Sequence, residues 1–169
     1  MSGIAMTEDQ LQLFDDDLAH AAKAQDCWQA LQQLTAAVAG FKLFTVMTVD
    51  MENELARRAF TSDPEAYPVS GTKPIHYDSW FDIVHRQQKS FVANTSADIA
   101  KVFPDHEKIW SLGCGSVVNL PVLVDGTLTA TINMLHEEHY YSEAGVTRIE
   151  KHLSAPARRA YLAASAMQT

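Results

Sequence analysis

The chain has 169 residues, which suits one domain of ordinary size and is too short for two full cores side by side. Hydrophobic residues make up 47% and charged residues 20%, a balance that excludes disordered, collagen-like and membrane classes. A formal net charge of -8 argues against a phosphate backbone as partner, because non-specific nucleic-acid binding needs clustered Lys and Arg to displace counterions.

Residues Met1 to Met6 carry no basic flank or apolar run of signal-peptide length, and nowhere do about 18 apolar residues follow one another. A cytoplasmic protein with no membrane and no nucleic-acid partner is expected. Its 2 cysteines, Cys27 and Cys114, lie far apart without a Cys-x-x-Cys pair, so neither a disulfide framework nor a zinc ribbon is encoded.

From Thr7 to Val38 apolar residues recur at spacings of three and four: Leu11, Phe14, Leu18 and Ala22, then Trp28, Leu31, Leu34 and Val38. The pattern predicts two helices, or one broken near Gln25 and Asp26. Thr7 reads as the N-cap, with acidic residues in the first turn, and Gly40 closes the helical stretch.

Phe41 to Asp50 is rich in β-branched and aromatic residues and predicts the first strand. Met51 to Asn53 forms the turn, and Glu54 to Thr61 returns as the second strand. Ser62 to Lys73, with Pro64, Pro68 and Gly71, is a loop by composition and long enough to suggest a role of its own.

Asp78 resembles an N-cap for a helix with Trp80, Phe81, Val84 and Gln88 along one face. Ser90 to Ala93 predicts a third strand, and Thr95 to Val102 and Asp105 to Leu112 two short helices around Pro104. Ser116 to Val124 and Thr127 to Leu135 are strand-like runs joined by Asp125-Gly126, a dipeptide suited to a type I′ hairpin turn. Ser142 to Ala166 is a final helix with Val146, Ile149, Leu153, Ala157 and Tyr161 on one stripe, which Pro156 is expected to kink or interrupt.

This order of elements resembles the GAF family, and the stretch LGCGSVVNLPVLVDGTLTATINMLH, Leu112 to His136, carries the likeness best. That stretch is similar to the phytochrome and cyanobacteriochrome version of the motif. The resemblance implies an α+β fold: a GAF/PAS-like antiparallel sheet of about five or six strands, with the N- and C-terminal helices on one face and a ligand pocket on the other. It divides the chain into an N-terminal helix over 1–24, a dimer contact, and the GAF domain over 25–165.

A two-residue turn at Asp125-Gly126 predicts that Val124 pairs with Thr127, Leu120 with Thr131 and Val118 with Asn133. Alternation then puts Val117, Asn119, Pro121, Leu123, Leu128, Ala130, Ile132, Met134 and His136 on one face. By the resemblance, that face lines the ligand cavity, and Asn119 and His136 match positions that contact chromophore polar groups. Asn119 either holds a ligand group or bridges to the helical segment above it.

The residues expected around a ligand are Asn119, His136, Cys114, Met134, Ile132, Tyr77, Trp80, Trp110 and Arg58. Tyr67, Tyr77, Trp80, His106 and Trp110 fall in the irregular middle that forms the lid in this family, and Arg58 suits an anionic ligand better than its neighbour Arg57. PDHEKIWSL lacks the Cys-His pair of bilin attachment, no Asn-Lys-x-Asp motif for cyclic nucleotides occurs, and the clustered cysteines of a GAF-type methionine sulfoxide reductase are absent. No cofactor is therefore expected. His136 and His139 point to opposite sides of an extended strand, so no metal is expected.

The leading expectation is a stand-alone, small-molecule-binding sensory or regulatory domain that forms a homodimer and signals to a separate output protein. A small enzyme with Cys114 as nucleophile or redox centre and His136 as acid or base is the alternative. A homodimerisation scaffold built on the apolar stripes of the terminal helices is the third possibility.

Overall fold

The computed structural model describes residues 2–167, with side chains from Glu8 onward. Two helices open the chain, α1 (Ser2–Ala19) and α2 (Ala24–Val38). Because α1 begins at Ser2, Thr7 lies inside it and is not its N-cap. The break falls at 20–23, ahead of Gln25, because Asp26 starts α2: its carboxylate accepts from the N–H groups of Ala22 (3.0 Å) and Lys23 (3.1 Å). Gly40 ends the helical stretch at φ +79°, and a Cβ there would lie 2.5 Å from the Tyr140 hydroxyl oxygen.

Six strands follow in one antiparallel sheet of order β3-β2-β1-β6-β5-β4. They are β1 (Leu43–Asp50), β2 (Leu55–Thr61), β3 (Thr72–Pro74), β4 (Phe91–Ala93), β5 (Ser116–Val124) and β6 (Thr127–His136). Strand β3 comes from a segment expected to be loop. Its three residues are all exposed and it ends in Pro74, as suits a blunted edge.

Asp125 (φ +52°) and Gly126 (φ +77°) make the type I′ turn that the sequence predicts. The pairing beyond it is shifted by one residue. Val124 faces Thr127, but Leu120 faces Ile132 and Val118 faces Met134, because Thr129 is an extra residue between the Val122–Ala130 and Leu123–Leu128 pairs. The Thr129 hydroxyl donates to the Val122 carbonyl at 3.2 Å and occupies an acceptor at the irregularity.

A one-residue slip exchanges the faces of β6. Ile132 and Met134, expected in the cavity, therefore pack with Val118 and Leu120 under the helices, and Thr131, Asn133 and Leu135 turn to the other side. A second bulge at Ala59 acts on β2: Phe60 pairs with Val46 and joins the helix-side core, whereas Arg58 pairs with Met47 on the opposite face. The Ala59 carbonyl accepts from Gln25 Nε2 of α2 at 3.0 Å.

The middle third holds α3 (Ser79–Phe81), α4 (Ser96–Ala100) and α5 (His106–Ser111). Asp78 caps α3 by accepting from the Phe81 N–H (3.0 Å), and the chain then widens into a π turn, Asp82–Arg86, closed by Gln87 N–H to Asp82 O (2.9 Å). That widening ends the helix before Gln88, which leaves the expected face and donates from its amide to Gly126 O.

The last helix, α6 (Glu143–Ala166), continues through Pro156, whose ring is buried against the core. The missing Pro156 N–H removes the usual donor to the His152 carbonyl. The helices cover one face of the sheet, where Trp28, Leu31 and Leu34 of α2 meet Leu153, Ala157 and Ala160 of α6 over Phe44, Val46 and Ile132. α1 joins the same core through Phe14. No helix among the described residues is long and apolar enough to cross a membrane.

Leu153 is fully buried at the centre of this helix-side core. Leu153→Ala is expected to lower the unfolding free energy by about 2–5 kcal/mol. Urea unfolding followed by circular dichroism checks it, and a loss below about 1 kcal/mol would show that α6 is not seated as described.

Candidate functional site

The sheet face away from the helices carries a cavity of about 280 Å³, at the small end of ordinary ligand sites. Its floor is the inward row of three strands: Leu43, Thr45, Met47 and Val49 of β1, Val117 and Asn119 of β5, and Thr131, Asn133 and Leu135 of β6. Trp80 and His85 close one wall. Phe103, Asp105 and Ile109, around α5, close another, with Tyr67 of the 62–71 loop, while Arg58 of β2 and Lys73 of β3 complete the rim.

A chain of side-chain hydrogen bonds crosses the floor. Trp80 Nε1 donates to Asn119 Oδ1 (2.8 Å), Asn119 Nδ2 to Asn133 Oδ1 (2.7 Å), and Asn133 Nδ2 to Thr45 Oγ1 (3.2 Å). The chain keeps buried amides satisfied in an otherwise apolar surface and ties α3 to the strands. Asn119 is thus occupied at both ends of its amide as a bridge to the helical segment.

The other polar group gathers around Tyr67. Its hydroxyl donates to Asp105 Oδ2 at 2.5 Å, its ring lies 4.9 Å from the Arg58 guanidinium carbon and 4.7 Å from Lys108 Nζ. Lys108 also donates to the Ala66 carbonyl (2.6 Å), so the loop is fastened to α5 twice. Burial, and then the bond to Asp105, push the Tyr67 hydroxyl far above its ordinary pKa, so it stays a proton donor.

Arg58 is half-buried and spends one N–H, on Nη1, in a bond to the Pro68 carbonyl (3.0 Å). Its Nε is buried without a partner. Burial lowers its pKa, against the raising fields of Tyr67 and Asp105, and guanidinium stays charged across any ordinary pH. Lys73 has an exposed surface yet an ammonium crowded by protein; that crowding lowers its pKa, Asp105 opposes the shift and Arg58 adds to it. His85 lies stacked on Phe81 (4.3 Å between ring centres), and loss of solvent lowers its pKa, which favours the neutral ring.

Of the residues expected around a ligand, Asn119, Trp80 and Arg58 line the cavity. Ile132 and Met134 do not, for the register reason given above. Tyr77 is 56% exposed, tilted against the Phe81 ring with its hydroxyl donating to Glu54, and Trp110 is 41% exposed beside His106, so both lie off the cavity wall.

Cys114 and His136 are backbone neighbours, since Gly115 N–H donates to His136 O at 2.7 Å, but their side chains part. The Cys114 thiol is buried among Leu43, Val117 and Ile109. The His136 ring stacks on Tyr140 (3.6 Å) and accepts at Nδ1 from the Glu137 N–H (2.8 Å). Among the described residues no cluster of His, Cys, Asp and Glu could hold a metal ion.

This fold recurs in solved structures. The GAF domain of an Acinetobacter phosphoenolpyruvate-protein phosphotransferase superposes with a TM-score of 0.70 at 12% identity, over 95% of this chain and 96% of that one. The fold is that of a GAF domain.

Other structures with this fold include the free methionine-R-sulfoxide reductase of Neisseria meningitidis in complex with its substrate (TM-score 0.67, 15% identity, 96% of this chain and 92% of that one). The chromophore-binding domain of an unusual bacteriophytochrome from R. palustris also matches, with a TM-score of 0.65 at 10% identity over 95% of this chain and 62% of that one. No protein-family model matches the chain, and no curated protein matches it.

Tyr67, a lid aromatic by the resemblance, lines the cavity, and so do Lys73, His85 and Asp105, which were not among the expected ligand residues. Tyr67 had one visible signal, an aromatic residue within a long polar loop. The others depend on the π turn, the edge strand and the α4–α5 corner.

Burial raises the Cys114 thiol above its ordinary pKa, with Lys42 opposing; Cys27 is raised by burial first and by Asp26 second. A raised pKa leaves less thiolate at a given pH, and thiolate is the reactive form. Iodoacetamide at pH 8 is therefore expected to alkylate both thiols of the folded protein at least about tenfold more slowly than free glutathione. Rapid alkylation of Cys114, read by mass spectrometry, would instead mark a reactive thiol.

Proposed function

We propose that this chain is a sensory or regulatory GAF domain that binds a small molecule reversibly in the cavity on the helix-free face of its sheet. The cavity itself carries the proposal: an apolar floor crossed by one satisfied hydrogen-bond chain, with a few convergent polar groups at the rim, is the general form of a small-molecule site. The fold supports it by analogy, since one similar structure is a reductase in complex with its substrate and another is a chromophore-binding domain.

Catalysis by Cys114 with His136 has less support. The thiol is buried, no hydrogen bond joins it to the imidazole among the described residues, and neither side chain lines the cavity. Output is assigned to a second copy or to a separate protein. Leu13 on α1 and Leu162 on α6 are exposed apolar residues that a second copy can cover.

Ala56 lines the cavity from β2 and is only partly buried, so a larger side chain there fills space without entering the helix-side core. Native mass spectrometry of the freshly purified protein, followed by a thermal-shift screen of a metabolite library, is expected to find a retained or stabilising small molecule that Ala56→Trp abolishes. Binding that persists in Ala56→Trp, or no binder of any class, contradicts the proposal. The same spectra report the dimer, and a monomer at every concentration removes the second-copy output.

A further inference from the structure

The rim of the cavity holds a cation whose charge the protein leaves unmatched. Arg58, Lys73 and Asp105 all line the cavity, and the charges acting on Lys73 are those of Asp105 and Arg58. Asp105 has accepted a hydrogen bond from Tyr67, and among the described residues the salt bridges join other partners, none of them Arg58 or Lys73. The cavity's other carboxylate, Asp78, caps α3 by accepting from the Phe81 N–H, and Asp105 is the carboxylate that acts on Arg58 and Lys73, so at this part of the rim two cations share one carboxylate.

The guanidinium shows the same imbalance atom by atom. Nη1 donates to the Pro68 carbonyl, while the buried Nε–H has no acceptor. A buried donor on a charged group is costly to leave unpaired, and such groups in native proteins call for a partner that arrives from outside the chain. Nε and Nη2 form one edge of a planar fork, and two parallel N–H donors on that edge match the two oxygens of a carboxylate.

The tether on Nη1 and the Tyr67 ring beside the guanidinium hold it in place at the cavity before any ligand enters. The bulge at Ala59 fixes it further, because it separates Arg58 from the helix-side row occupied by Phe60.

Building on the reading of this cavity as a small-molecule site, we infer that its ligand is a compact molecule with one carboxylate, held by the Arg58 guanidinium with Lys73 as second cation, and an apolar body lying on Leu43, Met47, Val117 and Leu135. One excess positive charge suits one carboxylate, and a phosphate monoester, carrying close to two negative charges, would face Asp105 with charge to spare. A neutral carbonyl can accept from the guanidinium but leaves its charge without a counter-ion. The volume of about 280 Å³ limits the apolar body to something small.

The test is isothermal titration of the whole chain with phenylacetate and hexanoate, with their neutral amides phenylacetamide and hexanamide, and with phenyl phosphate. At least one carboxylate is expected to bind at least about tenfold more tightly than its amide. Arg58→Gln should bring it to the level of the amide while leaving the affinity of the amide unchanged. Should Arg58→Gln unfold, Lys73→Gln on the exposed edge strand is expected to weaken the carboxylate alone, with an unchanged melting curve as the control.

Amides that bind as tightly as carboxylates, a preference that survives Arg58→Gln, or phenyl phosphate bound above phenylacetate would each overturn the inference while leaving the cavity a ligand site. Carboxylate binding unaffected by Ala56→Trp would overturn the cavity reading itself, and no binding by any member of the panel would overturn the inference.

Discussion

Two β-bulges, at Ala59 and Thr129, decide which side chains face the cavity. Side chains alternate across a sheet, so an unbroken β2 would send Phe60 and Arg58 to the same face, and an unbroken hairpin would turn Asn133 toward the helices. One extra residue in each strand separates them. Phe60 enters the helix-side core beside Val46, Arg58 reaches the cavity beside Met47, and Asn133 faces Asn119 across the hairpin. Neighbouring side chains steady the bulges: Gln25 donates to the Ala59 carbonyl and Thr129 to the Val122 carbonyl.

The floor and the rim then divide the work. On the floor, Trp80, Asn119, Asn133 and Thr45 satisfy one another, which joins α3 to the central strands and keeps the apolar surface between them free of unpaired donors. At the rim, Tyr67 and Lys108 fasten the 62–71 loop to α5, and Tyr67 holds Asp105, whose field reaches Arg58 and Lys73. Rigid floor and charged rim together describe a preformed site, in which little ordering remains to be done when a small molecule enters.

Much of the architecture was legible in the sequence because it rests on strong periodic signals. The helical stripes ending at Gly40, the β-branched run of β1 and the Asp125-Gly126 turn each appear where their residue chemistry requires them. The cavity face was not legible. Ile132 and Met134 form the more apolar row of β6 and look suited to a ligand, but Thr129 shifts the pairing and sends the polar row of Thr131 and Asn133 there instead. A bulge in an otherwise regular run carries no sequence mark of its own. Arg58 lines the cavity from β2, whereas Lys73 sits on an exposed edge strand that pairs with β2 for only three residues and has no alternation to betray it.

The central claim is that the cavity belongs to the face of Asn119 and Asn133, and nuclear magnetic resonance tests it most directly. Spectra of the labelled protein titrated with phenylacetate should move the side-chain amides of Asn119 and Asn133 and the indole N–H of Trp80, with the methyls of Ile132 and Met134 unmoved. Shifts concentrated on Ile132 and Met134, with the amide chain silent, would contradict the register, the face and the site built on it.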